Sequence, residues 1–191
     1  MFDFIKRIRS RVDERGERSS QQRVISRAQF LRGDISGRRQ PLRPPWAIDE
    51  YAFTETCTRC DHCIKRCPEG VLIAGAGKFP VVEFSRGECT FCGECVTHCE
   101  PQALCFEAED KPGKPWDLEI RLGHSCIAQK GVVCQICGDQ CLEQVFRFRP
   151  RVGGAVQMEM EADQCTGCGS CIAPCPVDAL TLHPRQSEAV E

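Results

Sequence analysis

At 191 residues the chain has room for one domain or two small ones, and its 17 cysteines exclude the ordinary globular class. The odd count excludes a fully paired disulfide framework, and no run of about 18 apolar residues is present to span a membrane. The net charge of −2 hides an asymmetry: residues 1–45 hold twelve Lys/Arg against five Asp/Glu, and the other 146 hold thirteen against twenty-two. A basic arm therefore precedes an acidic, cysteine-rich body.

The arm is expected over residues 1–50. Within it, residues 2–12 place Phe2, Phe4, Ile5, Ile8 and Val12 on one face of a helix at about 100° per residue, with basic residues flanking that face. Three readings stay open: peripheral contact of residues 1–12 with a membrane surface, docking on an acidic partner, or a solvated arm. Nucleic-acid binding has the charge but no recognisable module, so none is expected. No apolar stretch near the start is long enough for a signal-peptide core, and the chain is expected in the reducing cytoplasm, where thiols stay reduced.

The body repeats one cysteine pattern four times. The runs are Cys57, Cys60, Cys63 and Cys67; Cys89, Cys92, Cys95 and Cys99; Cys126, Cys134, Cys137 and Cys141; and Cys165, Cys168, Cys171 and Cys175. Three have the spacing C-x2-C-x2-C-x3-C, and the third widens its first gap to seven residues. After each fourth cysteine comes a small apolar signature: Val71-Leu72, Ala103-Leu104, Val145-Phe146, Ala179-Leu180. Such repetition predicts two two-loop modules in tandem, 51–110 and 116–184, joined at the polar, proline-rich stretch 109–115. Strands are expected at 81–84, 104–107, 118–122, 146–149 and 156–160, the last two framing Val152-Gly153-Gly154 as a hairpin. One-turn helices are expected before each fourth cysteine. The fold class is α+β.

Three cysteines within seven residues wrap one side of a [4Fe–4S] cube, which takes one thiolate per iron. A zinc site wants four ligands about one point, commonly two separated C-x2-C pairs, so a zinc-binding interaction module is a distant alternative. In bacterial two-cluster ferredoxins such a run gives its first three cysteines to one cluster and its fourth to the other. Applied here, Cys57, Cys60, Cys63 and Cys99 hold one cluster, and Cys89, Cys92, Cys95 and Cys67 a second. Cys165, Cys168, Cys171 and Cys141 hold a third, and Cys126, Cys134, Cys137 and Cys175 a fourth. Modules of about 60–70 residues have marginal apolar cores, so the metal centres are expected to supply much of the folding energy. Cys105 has no place in the pattern and is expected to pack as a small hydrophobe.

Other signals are weak. Gly75-Ala76-Gly77-Lys78 resembles the end of a phosphate loop, but Leu72 and Phe79 break the match and a turn is expected. His62, His98, His124 and His183 share no spacing, and no nucleophile–base pair can be read. The chain is expected not to be an enzyme.

The residues Ser26-Arg27-Ala28-Gln29-Phe30-Leu31-Arg32-Gly33, Arg43-Pro44-Pro45-Trp46, Cys57-Thr58-Arg59-Cys60-Asp61, Trp116-Asp117-Leu118 and Phe148-Arg149-Pro150, with the four cysteine runs, resemble the ferredoxin-type NapF proteins of periplasmic nitrate reductase systems over residues 26–183. The resemblance implies a cytoplasmic accessory protein that contacts the precursor of the catalytic molybdenum subunit and handles electrons or clusters during its maturation. The family commonly carries a twin-arginine-like start. Here Ala28 replaces the second arginine and no apolar core follows, which argues further against export. A polyferredoxin subunit of another respiratory oxidoreductase is the alternative.

Overall fold

The computed structural model describes residues 41–106, 115–150 and 156–185. The described residues cluster as one compact unit. The expected arm shares its last residues with that body. Leu42 accepts a hydrogen bond from the Val82 amide at 2.8 Å, and Pro44, Pro45 and Trp46 are buried. Residues 1–40, with the helical face read at 2–12, lie outside the described residues, as do most of the 109–115 linker and the Val152-Gly153-Gly154 turn.

Helix α1 (Glu50–Thr56) starts where Asp49 accepts from the amides of Tyr51 and Ala52, both at 3.1 Å. That satisfies two donors a helix start leaves orphaned, and Glu50 in the first turn suits the positive end of the helix dipole. Its product is Phe53, fully buried at the centre of the first core with Val71, Leu72, Cys95, Ala103 and Leu104. No helix was expected there, although an Asp followed by an acidic first turn is a legible start signal.

Three of the four expected one-turn helices form: α2 (His62–Arg66), α3 (Glu94–Thr97) and α4 (Ile136–Asp139). After Cys171 the chain makes a turn instead. In all four places the amide of the fourth cysteine bonds the carbonyl three residues back: Cys67 to Ile64 (3.4 Å), Cys99 to Val96 (2.9 Å), Cys141 to Gly138 (3.2 Å) and Cys175 to Ile172 (3.1 Å). The carbonyl of that cysteine then accepts from the third residue onward: Gly70, Gln102, Gln144 and Asp178, at 3.0 to 3.3 Å. All four of those residues take φ between 47 and 64°. Two glutamines and an aspartate in the left-handed region carry a backbone strain, which the turn overrides. The next two residues at each site are the apolar pairs read from the sequence, and all eight are buried.

Strands β1 (Leu72–Ala74) and β2 (Pro80–Val82) pair antiparallel around the Gly75–Phe79 turn. The strand expected at 81–84 ends at Val82, because residues 84–86 close a 3-10 turn that buries Phe84. Strand β3 (Leu118–Leu122) pairs antiparallel with the last strand, β6 (Leu180–Pro184), bringing Leu118 opposite Pro184. Between them in sequence, β4 (Phe146–Pro150) and β5 (Val156–Met160) pair with Phe146 opposite Met160, as the expected hairpin requires. The β1–β2 pair and the β4–β5 pair thus occupy equivalent places after the fourth cysteines of the first and third runs. The equivalent of β3–β6 in the first module is a single antiparallel bridge, Ala47 to Leu104. The strand expected from 104 is therefore one bridge long within the described residues. No helix among the described residues is long and apolar enough to cross a membrane.

Candidate metal centres

The loops that carry the cysteines have a shared backbone. In each C-x2-C-x2-C stretch the residues flanking the middle cysteine are left-handed: Arg59 and Asp61, Phe91 and Gly93, Gly167 and Gly169. Two reversals in seven residues curl the loop so that its three thiols face one volume. The widened third run departs from this, with Gln135 at φ −132°.

The fold brings the sixteen patterned cysteines together in four sets. Burial, then the neighbouring thiols of Cys99, Cys57 and Cys60, pushes the Cys63 thiol up to about 12. Burial pushes Cys95 to about 12 as well, with Cys89, Cys63, Cys92 and Cys67 as its thiol neighbours, and Cys67, Cys89, Cys92 and Cys95 line one cavity. Cys141, Cys165, Cys168 and Cys171 line a cavity of about 290 Å³, and burial raises Cys171 to about 12 with Cys165 its leading thiol neighbour. Cys126, Cys134, Cys137 and Cys175 line a further cavity, where Cys126 packs with Ala128 and Ala179. Each set holds three thiols of one run and the fourth of another. Bridging seven residues between Cys126 and Cys134, a short 3-10 turn over Ala128–Lys130 buries Ala128, and the chain after it leaves Val132 and Val133 exposed. Leu142, in the place of Pro68 and Pro176, is 96% exposed.

These sets suit a [4Fe–4S] group chemically. One thiol in each set, Cys63, Cys95, Cys171 and Cys137, resists ionising, because burial first and neighbouring thiols second disfavour the charged form. Bound iron would reverse that balance, and the cysteines of each set would hold it as thiolates. The thiols of the second, third and fourth sets each line a cavity. Backbone amides add to the thiolate environment. Leu104 donates to Cys99 Sγ and Val145 to Cys141 Sγ, both at 3.4 Å, and Ala179 donates to Cys175 Sγ at 3.3 Å.

Cys105 lines none of the three cavities, and its amide donates to the Trp46 carbonyl at 3.0 Å. His98 Nδ1 lies 3.0 Å from the Glu94 carbonyl of its own helix α3, and His183 Nε2 lies 3.0 Å from Thr181 Oγ1. Sequence reasoning missed the aromatic side chains that frame the loops. Phe84, Phe91 and Trp116 stand between the first and second pairs of runs. Their separation in sequence leaves no local signal.

Comparison with known proteins agrees with this geometry. Residues 56–104 and 130–179 each match the 4Fe-4S dicluster domain family. The second match begins after Cys126, the cysteine set apart by the widened gap. Two such domains provide for four [4Fe–4S] clusters in a ferredoxin-type, iron–sulfur electron carrier. The chain is 40% identical to the ferredoxin-type protein NapF of Escherichia coli K12 over 80% of its own length and 93% of that protein. It is 36% identical to NapF of Haemophilus influenzae over 86% of its length and 97% of the relative. To the methylamine utilization ferredoxin-type protein MauM of Methylophilus methylotrophus it is 29% identical over 76% and 71%. No solved structure matches. With identity at this level running through almost the whole of two NapF proteins, the chain belongs to the ferredoxin-type NapF family.

Proposed function

We propose that this chain is a cytoplasmic accessory protein that carries electrons to, or clusters for, the catalytic-subunit precursor of a periplasmic nitrate reductase, and that it does so as a carrier and not as an enzyme. The observation behind this reading is the sorting of sixteen cysteines into four crossed sets of four. Cys57, Cys60, Cys63 and Cys99 hold the first cluster, and Cys67, Cys89, Cys92 and Cys95 the second. The third lies on Cys141, Cys165, Cys168 and Cys171, and the fourth on Cys126, Cys134, Cys137 and Cys175. Each cluster, when bound, supplies a one-electron couple within roughly −700 to +450 mV, set by charge, exposure and hydrogen bonds to sulfur. The chain's own part is to hold the thiols in place, exclude water with Phe53, Leu72, Phe146 and Leu180, and donate the amides of Leu104, Val145 and Ala179 to ligand sulfur.

The partner rests on the family. An anaerobic pull-down from cytoplasmic extract tests it: the nitrate reductase precursor should be retained by the loaded chain. Likeness to a methylamine utilization ferredoxin supports the second reading, a polyferredoxin subunit of another respiratory oxidoreductase. Retention of such a complex in place of the precursor would decide for it.

A further inference from the structure

The two dicluster halves meet at a built junction. The Cys89 amide, at the head of the second run, donates to the Cys168 carbonyl in the middle of the fourth run at 2.8 Å. Beside this bond, Trp116 Nε1 donates to the Thr166 carbonyl at 3.1 Å. The Trp116 ring meets Phe84 and Phe91 edge-on, each with centroids 5.9 Å apart. Phe91 in turn stands edge-on to Trp46 at 6.5 Å. The fourth run is shaped to receive these rings. A Cβ on Gly167 would lie 2.5 Å from Trp116 Nε1, and one on Gly169 would overlap the Phe84 ring. The cavity lined by Cys141, Cys165, Cys168 and Cys171 is lined as well by Cys89, Thr90 and Phe91 of the first half.

A polar or poorly packed joint would let two tethered ferredoxin halves move independently, as small interfaces within a chain usually do. Here a backbone hydrogen bond, an indole hydrogen bond and two edge-to-face ring pairs converge on one loop. We propose that Trp116 and Phe84 are positioning residues that lock the Cys89 loop against the Cys168 loop, making the two dicluster halves one fixed unit in which electrons cross at this loop pair. The crossing is a one-electron exchange: one side is oxidised and the other reduced, with no bond made or broken and no proton moved. The electron part rests on the four-cluster reading above. The locking part stands on the contacts alone.

The test uses the full chain, purified anaerobically, as the unaltered protein and as Trp116→Ala, Trp116→Phe and Phe84→Leu. Three quantities are read: iron per chain, hydrogen exchange at the Cys89 amide, and magnetic interaction between clusters in the dithionite-reduced state. Trp116→Ala should keep its iron, exchange the Cys89 amide about tenfold faster, the scale of losing its two edge-to-face pairs, and weaken the interaction between the halves. Trp116→Phe should fall between, since it keeps a ring and loses the bond to Thr166. Should Trp116→Ala fail to fold, Phe84→Leu is expected to show the same faster exchange. Unchanged exchange and magnetic interaction in iron-replete variants would overturn the proposal. So would loss of iron from Trp116→Phe and Phe84→Leu alike, which would make these residues part of a cluster site. If the unaltered chain carries no iron, the functional reading fails, while the exchange comparison still decides the lock.

Discussion

Arg43 grips Glu50 with both ends of its guanidinium, Nε to Oε2 at 2.8 Å and Nη2 to Oε1 at 2.7 Å, while the same group lies 4.9 Å over the Phe53 ring. It also donates to the Pro80 carbonyl at 3.2 Å and lies 5.3 Å from the Phe79 ring centre. One side chain thus ties the entering segment, helix α1 and strand β2 together, so the folded body begins before the first cysteine.

Arg43→Ala should lower the stability of the loaded chain by about 1–2 kcal/mol, combining a partly exposed bidentate pair with cation–π contacts. Arg43→Lys should recover less than half of that, because an ammonium cannot fork onto both carboxylate oxygens. Anaerobic denaturant unfolding measures both. A neutral Arg43→Ala would mean that the anchor contributes nothing.

Removing residues 1–40 should leave iron per chain unchanged, since every cysteine and the Arg43 anchor remain. If the basic arm serves docking, the same truncation weakens partner retention, most clearly at low ionic strength where charge is least screened. Iron loss on truncation would assign the arm to folding.

Cys105→Ser should keep full iron content, because Cys105 lines none of the three cysteine cavities. Cys99→Ser should lose up to about a quarter of the iron, the share of one cluster in four. Equal losses from the two variants would show the ligand set to be misassigned.

The raised thiols set opposite pH trends for the metal-free and loaded chains. In the metal-free fold Cys63, Cys95 and Cys171 are pushed from 9.0 to about 12, by burial first and neighbouring thiols second. A raised value favours the protonated fold, so that contribution is present below about pH 9 and is lost as pH rises towards about 12. The loaded chain needs thiolates, so protons compete with iron and clusters are released as pH falls. Denaturation midpoints of the metal-free chain should drop through the alkaline window, and iron release from the loaded chain should speed up in acid. Release that ignores acid pH would contradict thiolate ligation.

The sequence made the chemistry legible and left the joints dark. Cysteine spacing is local, so the four runs, the apolar pair after each and strands β3 and β5 could be read directly. Alternation in residues 156–160 sufficed for β5, and Asp49 with Glu50 could have revealed α1. Strand β6 went unread because its register depends on β3, some 60 residues earlier. Strand β1 is three residues long and forms only by pairing with β2. The left-handed turns at Gln102, Gln144 and Asp178 carry no glycine to announce them. The Trp116–Thr166 contact joins residues 50 apart, and no periodicity encodes it.

Iron, acid-labile sulfide and zinc per chain, measured together on anaerobically purified full-length protein, test the four-cluster assignment most directly. The account predicts about sixteen iron and about sixteen sulfide with no stoichiometric zinc. About eight iron, with the widened third run and its partner empty, or zinc in place of iron and sulfide, would contradict it.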